Sequence, residues 1–170
     1  NAGPTNPQKL KELQEKQLQQ AVPGGTNEQK VWNYFRSQGL SEIAVAGIMG
    51  NASVESTFSS TIWSPDRNFK GLFQWKHDDR WVSLQKWAKS KKMDPESIDT
   101  QLKFAWVEMT DSGSPYYDVG PTSANNAYKK LIAGEAKTPE QAAEIWRRNF
   151  ERGQGDIPGR QREAARLYKK

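Results

Sequence analysis

Between Glu42 and Asp66 the chain carries a single acid, Glu55, set among small and apolar residues in "GNASVESTF". Val54 adjoins it, Phe58 follows within a turn, and Ile48 and Ala52 precede it along one helical face. A carboxyl desolvated in such surroundings keeps its proton near neutrality and can give it to a leaving oxygen, which is general-acid chemistry. A helix-terminal glutamate pointing into solvent is the other reading of the same residues. Competing chemistries are thinner. The chain has no cysteine, which removes thiolate nucleophiles, disulfides and Cys-based zinc sites. Its single histidine, His77, has no nucleophile elbow to serve and no second histidine or acid trio to complete a metal site, and it reads as an exposed rim residue. Acid chemistry or binding remains, with no metal and no organic cofactor expected.

An acid of this kind needs a rigid carrier. "SEIAVAGIMGNASVES" predicts a helix opened by Ser41, and glycines at 47 and 50 make sense only where neighbouring elements approach its backbone closely. It is therefore expected to be the central buried helix. Upstream, "TNEQKVWNYFRSQ" places Val31, Trp32 and Phe35 at helical spacing after Thr26 or Asn27 as cap, with Gly39 as a stop. Downstream, residues 59 to 75 mix Ser, Pro, Asp, Asn and Gly with aromatics, which predicts a loop or short irregular hairpin. Helical spacing returns in "DDRWVSLQKWAKSKK", through Trp81, Leu84, Trp87 and Ala88, with Asp78 or Asp79 as cap, and in "SIDTQLKFAWVEMT", through Ile98, Leu102, Ala105 and Met109. After the turn-rich "DSGSPYYDVGPTS", helices are expected at 123 to 133, 138 to 150 and 159 to 169. No internal repeat is visible. Residues 1–25 differ: they lack aromatics, are rich in Gln, Lys and Glu, and end in Pro23, Gly24 and Gly25. They read as a polar helical connector and hinge with few core contacts, Leu10, Leu13 and Val22 forming at most a thin apolar stripe. Residues 26–170 form the domain, mainly α with one small irregular or β insertion.

"VESTF" followed by "GLFQW" resembles the "E-S-x-F … G-L-x-Q" signature of lysozyme-like lytic enzymes, including soluble lytic transglycosylases and goose-type lysozymes. The closer similarity is to phage tail lysozymes. It extends over "GLSEIAVAGIMGNASVESTF", "KGLFQW" with Arg80 soon after, "TQLKFAWVEM" and the late "NFERGQ…R…A" segment. The resemblance implies a lysozyme-like helical fold and a peptidoglycan glycan strand as substrate. It makes Glu55 the catalytic acid, Ser56 a neighbour that orients the acid or the sugar, and Gln74 a floor residue of the cleft.

Glycosidic cleavage commonly uses a second carboxylate. Asp66, between the two motifs, is the candidate, against its reading as a turn former after Ser64-Pro65. Glu108 is a cleft-lining or core candidate, and Glu151 reads as a structural salt bridge or cap. A glycan cleft also needs aromatic platforms beside amides and hydroxyls. Phe73, Trp75 and Tyr116, with Trp63 and Tyr117, are the candidates, whereas Trp32, Trp81, Trp87, Trp106 and Trp146 are assigned to the core.

The net charge of +5 suits wall polymers, nucleic acid or anionic lipid alike. Nucleic acid is disfavoured, because no zinc-finger or ribonucleoprotein signature is present and the basic residues do not interleave with the aromatics. Membrane insertion is not expected, as no apolar run approaches the roughly 18 residues a span needs. The start, "NAGPTNPQKL", has no Met and no basic-then-apolar pattern, and reads as a processed or excised piece. The expectation is a muramidase that hydrolyses the β-1,4 bond between N-acetylmuramic acid and N-acetylglucosamine, in an extracellular or phage-tail setting, within a larger wall-penetrating protein or assembly. A lytic transglycosylase forming 1,6-anhydro products and a non-catalytic wall-binding domain are the alternatives.

Overall fold

The computed structural model describes residues 6–170; residues 1–5 of the expected connector lie outside the described residues. Helix α1 (Pro7–Gln19) is capped by Asn6, whose side chain accepts from the Gln8 amide, and it buries no residue. Its carbonyl end, however, is tied to the domain. Lys103 Nζ donates to the carbonyls of Leu18, at 2.7 Å, and Gln20, and Gln19 Nε2 donates to the Lys91 carbonyl at 2.8 Å. Val22 is 5% exposed and packs in the core, and its amide donates to Asp99 Oδ2. The expectation of few core contacts for residues 1–25 is corrected on this point. Burial lowers the affinity of Lys103 for its proton, partly offset by Asp99, and the free carbonyls at a helix end are natural acceptors for such an ammonium.

Helix α2 (Asn27–Ser37) opens with a capping box between Thr26 and Gln29 and buries Val31 and Phe35. Helix α3 (Glu42–Ser56), capped by Ser41, is buried along most of its length. Its glycines are the reason it can be. A Cβ on Gly47 would stand 2.4 Å from Ala142 Cβ, and one on Gly50 would stand 2.4 Å from the Arg160 carbonyl oxygen. Two later helices, α7 (Pro139–Asn149) and α8 (Ile157–Tyr168), thus lie backbone-close against α3. Asn51 joins all three: its amide donates to the carbonyls of Gly47 and Ala143, each at 3.0 Å, and its oxygen accepts from Arg160 Nη1 at 3.1 Å.

Gly50→Ala should lower the melting temperature markedly. Overpacking against backbone costs about 1–3 kcal/mol or more, which outweighs the roughly 1 kcal/mol by which alanine favours a helix. An unchanged or raised melting temperature would mean that α8 can retreat without loss.

Between α3 and helix α4 (Arg80–Ser90) lies an antiparallel hairpin, β1 (Phe69–Lys70) and β2 (Trp75–Lys76), with Trp63 bridging to Lys70. Helix α5 (Ile98–Thr110) and helix α6 (Ala124–Ile132) complete the fold. Phe73, Trp75, Phe104, Trp146 and Phe150 meet in one aromatic core, with Trp146 stacked on Phe150 at 4.1 Å. Trp81, Trp87 and Trp146 are buried as expected, while Trp32 and Trp106 pack on the core half-buried. The last helix begins earlier than expected, because Asp156 caps it and Pro158 fits the first turn.

Candidate active site

Glu55 occupies the last turn of α3, after which the chain leaves through two left-handed residues, Thr57 at φ +52° and Phe58 at +63°. Such non-glycine conformations are strained and persist where surrounding structure enforces them. The Asn27 side chain holds the Phe58 carbonyl at 2.8 Å. Next to Glu55, Ser56 Oγ donates to the Leu72 carbonyl at 2.8 Å, while Gln101 Oε1 accepts from the Leu72 amide at 2.9 Å. Leu72 is therefore pinned through both backbone groups, which fixes the "GLFQW" loop against the acid. Gly71, at φ +88°, is needed there, since a Cβ would stand 2.9 Å from Gln101 Oε1. Ser56 is 2% exposed and both its contacts are backbone carbonyls, so the suggested sugar contact is replaced by a structural one.

Glu55 opens onto a cleft of about 520 Å³ whose walls include Phe69, Gln74, Asp79, Arg80, Arg152 and Gly153. The Glu55 side chain is 14% exposed and pairs with Arg160 Nη1 at 2.8 Å and Arg147 Nη1 at 3.4 Å. Glu151 joins them from the segment after α7. Its Oε1 lies 3.0 Å from Arg160 Nη1 and 3.8 Å from Arg147 Nη1, and its Oε2 accepts from Trp146 Nε1 at 3.3 Å. Burial, then the neighbouring Glu55 carboxyl, raise Glu151 well above the usual carboxylate range, against the pull of Arg160 and Arg147. Two acids and two guanidinium groups thus form one cluster at the cleft floor. The assignment of Glu151 to a structural salt bridge is incomplete, because its partners are also those of Glu55.

Asp66 stands elsewhere. It is exposed, accepts from Ser64 Oγ at 2.6 Å and from the Asn68 amide at 3.1 Å, and is absent from the cleft wall. These bonds, Ser64 first, hold its carboxyl below the usual range, as suits a turn former rather than a catalytic group. Glu108 is buried: Arg80 grips it with Nε at 2.8 Å and Nη2 at 2.9 Å, and Trp75 Nε1 donates to it at 3.0 Å. It organises the core under the cleft and offers no free oxygen face to a sugar.

The aromatic candidates also sort differently from expectation. Trp75 is 1% and Phe73 3% exposed, too enclosed to present a ring face for stacking. Tyr116 packs on Phe104 and lines a neighbouring hollow of about 190 Å³ that shares Asp79, Arg80 and Arg152 with the main cleft. Trp63 already has Lys70 Nζ at 4.8 Å and Arg67 Cζ at 4.9 Å over its ring. Phe69, 38% exposed on the cleft wall, is the open platform that sequence reasoning missed. Its signal was the strand alternation that puts it outward and Lys70 inward. Gln74 lines the cleft; its Nε2 is used by the Gly71 and Ile62 carbonyls, which leaves its oxygen without a partner among the described residues. Asp79, expected as a cap, makes no capping bond and faces the cleft instead.

A mainly helical domain, with an acid at the end of a buried small-residue helix and a short hairpin beside it, has the lysozyme-like architecture. The phage tail lysozyme family model matches residues 26–170, and the chain belongs to that family. Membership carries a lysozyme-like, peptidoglycan-lytic function and a phage-tail setting at the cell wall. Among the described residues, no helix is long and apolar enough to cross a membrane.

Proposed function

We propose that this chain cleaves the β-1,4 bond between N-acetylmuramic acid and N-acetylglucosamine by hydrolysis, with Glu55 as general acid. The observation that carries the reading is the position of Glu55: a largely buried carboxyl at the floor of a cleft large enough for sugar rings. Its proton goes to the bridging oxygen as the bond to the anomeric carbon breaks, and the electron pair leaves with that oxygen. Phe69 supplies an apolar face for a sugar ring, and the free Gln74 oxygen accepts from a hydroxyl or acetamido N–H. The cations lining the cleft, Lys76, Arg80, Arg147, Arg152 and Arg160, suit a substrate bearing lactyl and peptide carboxylates. The domain acts from the virion, as part of a larger wall-penetrating assembly.

Water, rather than the muramic acid's own C6 hydroxyl, is favoured as the attacking group by Asp79. It lines the cleft and, among the described residues, takes part in no side-chain hydrogen bond or ion pair. An unengaged carboxylate on the cleft wall can hold and activate a water, a role that the hydrogen-bonded Asp66 does not fill. Mass analysis of products from purified peptidoglycan tests this. Reducing N-acetylmuramic acid ends are expected, and Asp79→Asn should slow turnover by about 10-fold or more while Asp66→Asn changes it little. Products lighter by one water, with 1,6-anhydro ends, would replace hydrolysis by transglycosylation and leave the role of Glu55 unchanged.

A further inference from the structure

The cluster beneath the cleft contains more acid than cleavage of one bond by Glu55 requires. Glu55 and Glu151 come from distant parts of the chain, yet both place an oxygen on the same nitrogen, Arg160 Nη1, at 2.8 and 3.0 Å. Arg147 Nη1 approaches the same two oxygens at 3.4 and 3.8 Å. Glu151 is 3% and Arg160 6% exposed at their side chains, so neither is a surface ion pair. Arg160 Nε is the one buried side-chain nitrogen or oxygen among the described residues without a hydrogen-bond partner. Both acids thus converge on one guanidinium nitrogen in a largely buried site, which places two like-charged groups close together where separate ion pairs would keep them apart.

We propose that Glu151 is a positioning residue for Glu55: the two carboxyl groups hold one proton between them, and Glu151 keeps that proton available to Glu55 when the substrate arrives. The inference rests on the glycosidase reading given above. Two adjoining acids in one buried site do not both ionise readily, and the pair titrates as a unit. When the proton resides on Glu55, the negative charge resides on Glu151, where Arg160 neutralises it directly and Arg147 more distantly. When it resides on Glu151, Glu55 is the anion and the same two cations serve it. The arginines therefore compensate either arrangement, so that moving the proton costs little. Glu151 is burdened by burial and by Glu55, consistent with a proton that stays on the pair. The charged and polar groups facing it are Glu55 on α3, Trp146 Nε1 and Arg147 on α7, and Arg160 on α8, with Arg80 on α4 close enough for its own proton to be held partly by Glu151. After cleavage the pair has lost its proton to the leaving oxygen and Asp79 has taken one from the attacking water; exchange with solvent then returns a proton to the pair and removes the one on Asp79.

Removing Glu151 leaves one acid against two guanidinium groups, so the proton is held less tightly by the cluster and activity is lost at lower pH as pH rises. Glu151→Gln should cut kcat on soluble glycan fragments at pH 7 by about 10-fold or more, with KM nearly unchanged, and move the alkaline limb of the pH–rate profile down by about one unit or more. Part of the lost activity should return in mildly acidic buffer. Glu151→Asp should keep the limb near its wild-type position, and Arg147→Gln, which removes a cation, should move it up. Opposite displacements by the two Gln variants are a signature that simple loss of structure does not produce. If Glu151→Gln fails to fold, Glu151→Ser, which also removes the acid, takes its place in the comparison. A limb left in place by every folded variant overturns the shared proton. Wild-type-like cleavage by Glu55→Gln, measured alongside, would instead remove Glu55 as the general acid, the reading on which this proposal rests.

Discussion

Glu55→Gln abolishes wall lysis while the domain stays folded: that is the largest effect expected of any single change in this protein. Glutamine has nearly the same volume and keeps an oxygen for Arg160, which lies 2.8 Å from the native carboxyl. It has no proton to give to a leaving oxygen. Loss of general-acid catalysis is worth roughly 10²- to 10⁴-fold, so clearing of purified walls should fall below about one per cent of wild type. Melting temperature and sedimentation with insoluble peptidoglycan should be close to native, separating chemistry from binding. A variant that keeps half the native rate would take Glu55 out of the mechanism.

The second large effect is on stability, at the buried pair beneath the cleft. Arg80 donates twice to Glu108 and once to the Phe150 carbonyl, at 2.7 Å, and its guanidinium lies 4.6 Å from the Phe150 ring centre. Burial works against the Arg80 charge, but Glu108, helped by Asp118 and Glu151, raises the hold of Arg80 on its proton. Arg80→Met would leave the Glu108 carboxylate, 3% exposed at its side chain, with only the Trp75 indole N–H. An uncompensated buried charge costs about 3–5 kcal/mol. Denaturant titration of Arg80→Met should show a loss of that size. Adding Glu108→Gln, which removes the orphaned charge and still accepts from Trp75, should restore a substantial part of it. If the single variant loses under about 1 kcal/mol, water reaches Glu108 and the pair is not the anchor described here.

How far these features can be read from sequence depends on the range of the interaction that makes them. The helices carried strong local signals: Thr26 with Gln29, Ser41, and Thr138 before Pro139 all cap where their residue types suggest. Gly47 and Gly50 announced close neighbours, although only the structure shows that these are α7 and α8. The partial burial of Glu55 at the end of α3 was legible because its small-residue surroundings and the "GLFQW" segment lie near it in the chain. Glu151 and Arg160 were not, for their pairing with Glu55 arises only when α3, α7 and α8 pack together. Asp66 and Asp79 show the same limit. Both are acids in turn-like sequence, and the hydrogen bonds to Ser64 and Asn68 tie one away while the other, uncapped, faces the cleft. Aromatic residues were overvalued as platforms, because the adjacency of Trp75 to Gln74 does not reveal that its indole turns inward to Glu108.

The Lys103 ammonium that grips the carbonyls of Leu18 and Gln20 changes what helix α1 can transmit. A segment joined by a freely jointed Pro-Gly-Gly would behave as a tether, passing tension along its length and dissipating any torque. A helix clamped at its carbonyl end, with Lys91 paired to Glu15 and Val22 seated in the core just beyond it, behaves as a lever. A sideways load applied to α1 reaches Lys103, and through it α5, the helix whose Gln101 and Glu108 hold the hairpin loop and the cleft floor. Orientation of the cleft relative to α1 is therefore mechanically specified, so that a pull on the helix turns the catalytic face instead of merely dragging it.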